Sequence, residues 1–162
     1  VLEVMANGSL NYTVKGICIG MKVTWNYTPP TNGGDTFTSI KKGSKATLKI
    51  VQDEKNGFVK ELYIQKEPDI DNRTFEAQLQ KTVEQLQITY PFLSVKNKKN
   101  GTYLIDIPQE KRLGHEEHFS KVAKAFLHYV DNKDMPEWEN ENTLAKYYIT
   151  TTAVEMAKIG NK

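Results

Sequence analysis

The chain has 162 residues, of which 38% are hydrophobic and 26% charged, the composition of an ordinary globular protein rather than a disordered or low-complexity one. Its 22 Lys and Arg against 20 Asp and Glu leave a net charge of +2, which gives no ground for a nucleic-acid or anionic-membrane partner. The single cysteine, Cys18, excludes an internal disulfide and a cysteine-based zinc or iron–sulfur site. Since one domain takes about 100 to 200 residues, we expect a single domain over residues 1–162.

The first residue is Val1 rather than Met, and residues 1–5 alternate as in a strand that has already begun. This favours a fragment of a longer protein, with a processed secreted precursor as the alternative. No apolar stretch approaches the roughly 18 residues of a membrane span, so no membrane partner is expected. Asn-x-Ser/Thr triplets, which are glycosylation acceptors in a secreted protein but also arise in ordinary turns, occur at Asn7, Asn11, Asn26, Asn72 and Asn100.

Apolar and polar positions alternate with a period of two over the first 66 residues, which predicts β-strands. One strand is expected through residues 12–19, with Cys18 in the core, and another through residues 23–27. A loop rich in Pro and Gly follows at residues 28–34, because Pro cannot donate to a strand ladder and Gly tolerates positive φ. The later strands of this half are expected around the turns at 42–44 and 55–57, over residues 35–41, 45–51 and 59–65.

After Pro68 the apolar period changes to that of a helix. A helix is predicted over residues 75–90, with Asn72 or Thr74 capping its start and Pro91 ending it. Two strands around a lysine-rich hairpin turn follow, over residues 92–95 and 103–107. Two further helices are predicted, one over residues 115–130 and one from about residue 142. The predicted class is α+β, an open, mostly antiparallel sheet of five to seven strands with about three helices packed on one face.

All three histidines lie between residues 115 and 128. His128 is ten residues from His118, roughly 15 Å along a helix, which is too far to share one metal ion. His115 and His118 are three residues apart and lack the four-residue spacing of a zincin helix, so no metal is expected. The alternative is a structural or substrate-contacting pair at the helix N-terminus, where Glu116 and Glu117 complement the positive end of the helix dipole and the free N–H groups could receive a polar ligand.

Other catalytic signatures are absent from the sequence. Neither Gly-x-Gly-x-x-Gly nor Gly-x-x-x-x-Gly-Lys occurs, so these residues carry no dinucleotide or P-loop fingerprint. Cys18 lies in a strand without a nearby histidine and is interpreted as a core residue rather than a nucleophile. Strand aromatics such as Trp25 and Tyr63 are of a type that stacks on sugar rings, although alternate aromatics in strands more often belong to a core or an interface.

Several strings together resemble the C-terminal domain of bacterial oxidoreductases of the glucose-fructose oxidoreductase and inositol dehydrogenase (Gfo/Idh/MocA-like) family. The likeness extends over most of the chain, from about residue 11 to residue 158. The strings that carry it are Gly33-Gly34-Asp35-Thr36, residues 39–46, Leu113-Gly114-His115-Glu116-Glu117-His118-Phe119, Met135-Pro136-Glu137-Trp138-Glu139, Asn142, and Lys146-Tyr147-Tyr148.

The resemblance implies a two-domain enzyme of the bacterial cytoplasm or periplasm that acts on a sugar or polyol. Its own N-terminal Rossmann domain, which is absent from these residues, would bind NAD or NADP, so no cofactor and no catalytic residue are assigned to this chain. The present domain would supply part of the substrate pocket and a homo-oligomer interface through the sheet, and it would be inactive alone. The pocket residues would be His115, Glu116, His118, Asp35 and Thr36, through hydrogen bonds to substrate hydroxyls.

A second hypothesis belongs to another class of protein. The strand aromatics and the Asn-x-Ser/Thr triplets also match a secreted, non-catalytic carbohydrate-binding module. A purely structural dimerisation module is a further alternative.

Overall fold

The computed structural model of the protein describes residues 7–31 and 33–160. The chain divides into two compact units. We call Val1–Thr28 with His115–Lys162 the hairpin–helix unit, and Pro29–Gly114 the sheet unit.

Seven strands and three α-helices make up the described residues. The helices are α1 (Asn72–Gln87), α2 (His115–Asn132) and α3 (Glu137–Gly160). The strands are β1 (Gly8–Val14), β2 (Ile17–Val23), β3 (Phe37–Lys42), β4 (Ala46–Gln52), β5 (Glu61–Lys66), β6 (Ser94–Asn97) and β7 (Thr102–Asp106).

The segment expected to be one strand over residues 12–19 is a hairpin, because the chain reverses at Lys15 and Gly16. Both residues have positive φ, 48° and 78°, as in a two-residue hairpin turn of type I′. β1 and β2 pair antiparallel on either side of this turn. Cys18 therefore lies exposed on a two-stranded ribbon, and the prediction that it belongs to the core was wrong.

The sheet unit contains one five-stranded sheet with the strand order β3-β4-β5-β7-β6, and every neighbouring pair is antiparallel. Leu62 in the central strand β5 pairs with Ile50 on one side and with Ile105 on the other. Ile105 in turn pairs with Val95. Because paired residues of neighbouring strands point to the same side, these apolar side chains form a row across one face of the sheet.

The helix α1 begins one residue after Asp71, whose carboxylate accepts a hydrogen bond from the backbone N–H of Thr74 at 2.8 Å. The expected caps Asn72 and Thr74 are instead inside the first turn. Asp71 has extended backbone angles, which is the usual conformation of an N-cap residue. This cap satisfies a backbone N–H of the first turn that has no partner within the helix.

The core of the sheet unit lies between α1 and the row of apolar strand residues. Val83 of α1 is 2% exposed and packs against Leu93 and Ile105. The half-buried side chains around them are Leu62, Ile64, Leu79, Phe92, Val95 and Ile107. One face of the sheet therefore carries a helix and a small apolar core.

The predicted α+β class with an open antiparallel sheet is confirmed, with the strands divided between a five-stranded and a two-stranded sheet. α1 packs on the five-stranded sheet, whereas α2 and α3 belong to the hairpin–helix unit. α3 begins at Glu137, several residues before the expected start. Within the described ranges we find no helix that is both long and apolar enough to cross a membrane.

Candidate functional site

The first group of predicted site residues lies at the start of α2. His115 is the first residue of this helix, and its Nδ1 lies 3.6 Å from the Glu116 Oε1, a distance longer than a hydrogen bond. The side chains are 78% and 92% exposed. The His115 ring also packs against Phe119, with 4.8 Å between ring centroids. His118 is exposed one turn further along the helix.

The local sequence explains why a helix begins there. Gly114 precedes it, and Glu116 and Glu117 occupy the first turn. Carboxylates in this position interact favourably with the partial positive charge at a helix N-terminus. The first turn of α2 therefore places two imidazoles among carboxylates at the helix end that attracts negative or hydrogen-bond-accepting groups.

The second group, Asp35 and Thr36, lies in the loop before the edge strand β3. Gly33 donates its backbone N–H to the carbonyl of Pro30 at 2.7 Å, and a Cβ at Gly33 would lie 2.8 Å from that same oxygen. Only glycine is accommodated without a shift of the turn. The Asp35 carbonyl accepts a hydrogen bond from Gln52 Nε2 at 2.9 Å, which holds the loop against the end of β4.

The two groups belong to different units of the chain: His115, Glu116 and His118 to the hairpin–helix unit, Asp35 and Thr36 to the sheet unit. Within each group the side chains are neighbours and exposed. Imidazole nitrogens, carboxylates and a hydroxyl together provide donors and acceptors for the hydroxyls of a polyol. The substrate-binding role of these residues stays a prediction.

The third histidine has a separate environment at the far end of α2. His128 Nε2 lies 3.0 Å from Asp134 Oδ2, and the Asn132 amide nitrogen lies 3.0 Å from its Nδ1. Both ring nitrogens are therefore occupied by local partners. Across residues 7–31 and 33–160 no group of three or more His, Cys, Asp or Glu side chains is arranged to hold a metal ion.

A polar cluster on the second face of the sheet was not singled out by the sequence analysis. The Tyr63 hydroxyl donates to Glu61 Oε2 at 2.5 Å. This hydrogen bond, with burial and the charges of Glu61 and Asp53, raises the pKa of Tyr63 to about 12. The signal in the sequence is the i, i+2 spacing in β5, which puts both side chains on the same face of a strand. The cluster borders an open groove of about 380 Å³ that also includes Lys98.

The buried amino group of Lys66 has a structural explanation. Its side chain reaches the loop before α1, where Nζ donates to the carbonyls of Glu67 and Ile70. Buried cations of this kind are tolerated only with such partners. Lys66 therefore fixes the β5–α1 connection.

A comparison with family models identifies the class of protein. Residues 1–158 match the family described as "Putative oxidoreductase C terminal domain". The match extends over nearly the whole chain, and the chain belongs to this family. Membership confirms the general part of the prediction, that the chain is the C-terminal domain of an oxidoreductase.

A solved structure gives the relationship in three dimensions. The chain is similar to a putative oxidoreductase from Parabacteroides merdae ATCC 43184, at 39% sequence identity and a TM-score of 0.89. The similarity covers 94% of the present chain but 35% of the Parabacteroides chain. The present chain thus spans about a third of the length of that relative. A search of the curated proteins found no match.

Proposed function

We propose that the chain is the substrate-side and oligomerisation domain of an NAD(P)-dependent oxidoreductase that acts on a sugar or polyol. The observation that carries the proposal is the family match over residues 1–158, supported by the 39% identity to the Parabacteroides protein. Both the family and the Parabacteroides protein bear the description of an oxidoreductase, and the family is that of a C-terminal domain.

The present residues do not fit a dinucleotide. All strand pairs in the described part of the chain are antiparallel, whereas a dinucleotide fold places a helix N-terminus at the carboxyl end of a parallel strand. The glycine fingerprint is also absent from the sequence. In this proposal NAD or NADP is held by an N-terminal Rossmann domain of a longer polypeptide, and no step of hydride transfer is assigned to the present chain.

Substrate recognition is assigned to His115, Glu116 and His118 at the start of α2 and to Asp35 and Thr36 before β3. The side-chain chemistry supports this assignment, because these residues provide hydrogen-bond donors and acceptors and a polyol offers hydroxyls that both donate and accept. The exposure of all these side chains leaves them available to a ligand. A substrate hydroxyl that is hydrogen-bonded to either group would be oriented while the reacting carbon faces the cofactor domain.

Oligomerisation is assigned to the five-stranded sheet. β3 is an edge strand, and its apolar residues Phe37 and Ile40 are exposed in the single chain. An exposed edge with apolar residues is a surface that proteins normally cover, and a second copy supplies a symmetric cover. These observations support a sheet-mediated homo-oligomer.

The gene sequence upstream of Val1 tests the cofactor part of the proposal. The upstream sequence is expected to encode a strand followed by Gly-x-Gly-x-x-Gly. The full polypeptide is also expected to quench or enhance the fluorescence of NADH or NADPH when it binds either nucleotide. An upstream region without such a segment, in a polypeptide that binds neither nucleotide, would remove the proposal.

A second candidate function is favoured by one observation. Trp25 is 74% exposed, next to the hairpin of β1 and β2, and an exposed indole is suited to stacking on a sugar ring. If the chain is a carbohydrate-binding module, it should bind a glycan, and the Trp25→Ala substitution should abolish that binding. The circular dichroism spectrum of the variant should match that of the wild type, which shows that the fold is retained. Absence of binding across a broad glycan panel would exclude it.

A further inference from the structure

The hairpin–helix unit has no core of its own within the residues described. Every buried residue lies in the sheet unit, whereas each described residue of 7–28 and 115–160 is half-buried or exposed. A two-stranded ribbon and two helices without buried side chains are not stable structures in water. Some other surface must therefore complete this unit.

The apolar side chains of α2 define where that surface attaches. They recur at i, i+3, i+7, i+8 and i+11, which places them on one stripe of the helix. Their exposed fractions range from 54% to 68%. We call this the α2 stripe; it consists of Phe119, Val122, Phe126, Leu127 and Val130.

The opposite side of α2 is polar. At about 100° per residue, Lys121 lies roughly 200° around the helix from Phe119 and Lys124 roughly 140°. Both lysines are exposed, as expected for a side that faces water. The one-sided distribution is that of a helix whose apolar side packs against another protein surface.

We infer that the α2 stripe is the docking surface for the N-terminal domain of the longer polypeptide, an inference that rests on the proposed function. The Parabacteroides relative supports this occupant, because the similarity covers 35% of its chain and leaves about two thirds of it outside. A domain on the same polypeptide is held at a high effective concentration, so it covers the stripe ahead of a second copy. The docked helix would also bring His115 and His118, on the same helix, to the boundary with the cofactor domain.

Site-specific photocrosslinking in the full polypeptide tests the inference. Val122→p-benzoylphenylalanine places the reactive group in the α2 stripe, and Lys121→p-benzoylphenylalanine is the matched control on the polar side. The expected result is a crosslink from position 122 to a peptide of the N-terminal domain, in a product of monomer mass, with little or none from position 121. Capture of a second copy in a product of dimer mass, or no crosslink outside residues 1–162, would overturn the inference.

Hydrogen exchange provides an independent readout. Phe126→Asp in the full polypeptide is expected to raise amide exchange throughout α2, because a carboxylate in the stripe cannot be desolvated without a partner. Lys124→Asp, which introduces the same group on the polar side, should leave exchange unchanged. Equal exchange in the wild type and Phe126→Asp would contradict the docking.

These outcomes are separable from those of the proposed function. A position-122 crosslink to an N-terminal domain that binds neither NAD nor NADP would retain the docking surface and remove the proposed NAD(P)-dependent function. If the full polypeptide binds NAD or NADP but position 122 crosslinks only to a second copy, the proposed function is retained and the docking surface is removed.

Discussion

The Tyr103 hydroxyl donates a hydrogen bond to Glu76 Oε1 across 2.9 Å and so joins β7 to α1. Burial of Tyr103, with the hydrogen bond and charge of Glu76, raises the pKa of this tyrosine. The same carboxylate oxygen accepts from Asn97 Nδ2 at 3.2 Å, and the Tyr103 ring packs against Phe75. One carboxylate of α1 thus connects the helix to both strands at the β6–β7 edge of the sheet.

Tyr103→Phe should lower the free energy of unfolding by roughly 1–2 kcal/mol, since it deletes a hydrogen bond to a charged group without changing the ring packing. Urea denaturation measures this difference. Tyr90→Phe is the matched control, because Tyr90 is exposed, and it should change the unfolding free energy little. Equal effects of the two substitutions would contradict the assigned role of the Tyr103–Glu76 hydrogen bond.

Tyr63 should titrate later than an ordinary tyrosine, because its pKa rises from 10.0 to about 12. The hydrogen bond to Glu61 is the largest cause. A raised folded-state pKa means that the stabilisation is present below pH 10 and is lost as the pH rises toward 12. The Glu61→Gln substitution removes the carboxylate and its charge, so the phenolate absorbance of Tyr63 should appear at lower pH. This absorbance is assigned to Tyr63 because it should be lost in the Tyr63→Phe variant. An unchanged titration in Glu61→Gln would contradict this assignment.

Asp71 should stabilise α1 in a pH-dependent way. The hydrogen bonds to Thr74 lower the pKa of this carboxyl below its ordinary value of 3.8. A depressed folded-state pKa means that the contribution is present above that ordinary value and is lost as the pH falls through the folded-state value. Asp71→Ala should therefore lower the urea midpoint at neutral pH, with the difference from wild type shrinking in acid. The Asp71→Asn variant keeps the cap oxygen, so its urea midpoint should fall less than that of Asp71→Ala. A midpoint difference between wild type and Asp71→Ala that stays constant across this pH range would contradict the mechanism.

Valine truncation should distinguish the core from the α2 stripe. Val83 is 2% exposed in the core of the sheet unit, so Val83→Ala should cost roughly 2 kcal/mol of unfolding free energy in any version of the protein. Val122 is 68% exposed, so Val122→Ala should have almost no effect in the 162-residue chain but a measurable cost in the full polypeptide. Thermal or urea unfolding of the 162-residue chain and of the full polypeptide measures these differences. An equal effect of Val122→Ala on the unfolding free energy of both would contradict the docking of the α2 stripe.

Periodicity predicted the elements of the sheet unit well, because their apolar residues meet in one core. The alternation over residues 45–51 and 59–65 corresponds closely to β4 and β5. The turn predicted at residues 96–101 is observed at residues 98–101, between β6 and β7. Gly101 and two preceding residues have positive φ there, as a tight reversal requires. Local sequence and tertiary packing agree in these elements.

The errors have local physical causes. Lys15-Gly16 is a weaker turn signal than Asn-Gly, and alternation continues through it, so one strand was predicted where a hairpin exists. Asp71 was missed as the α1 cap because three neighbouring residues are all good caps, and only geometry selects among them. The exposure of Cys18 and of α2 could not be predicted, since amphipathicity indicates which side of an element is apolar but not what covers it.

The predicted site residues were identified from family resemblance, and His115, Glu116 and His118 also from their position at a helix N-terminus. His115, Glu116 and His118 share a helix start, which periodicity alone located at the correct residue. Asp35 and Thr36 belong to the other unit, and no spacing in the sequence connects them to α2. Periodicity describes local structure, so it gives no information on residues that are far apart in the sequence.

The proposed function is tested by sugar- or polyol-dependent reduction of NAD or NADP by the full polypeptide. We expect turnover with a member of a sugar and polyol panel, and a loss of about two- to tenfold in kcat/KM in His118→Ala, the effect of one substrate hydrogen bond. His128→Ala, a histidine of the same helix bound to Asp134, should retain wild-type kcat/KM. No nucleotide reduction with any substrate of the panel, or equal losses in the two histidine variants, would contradict the account.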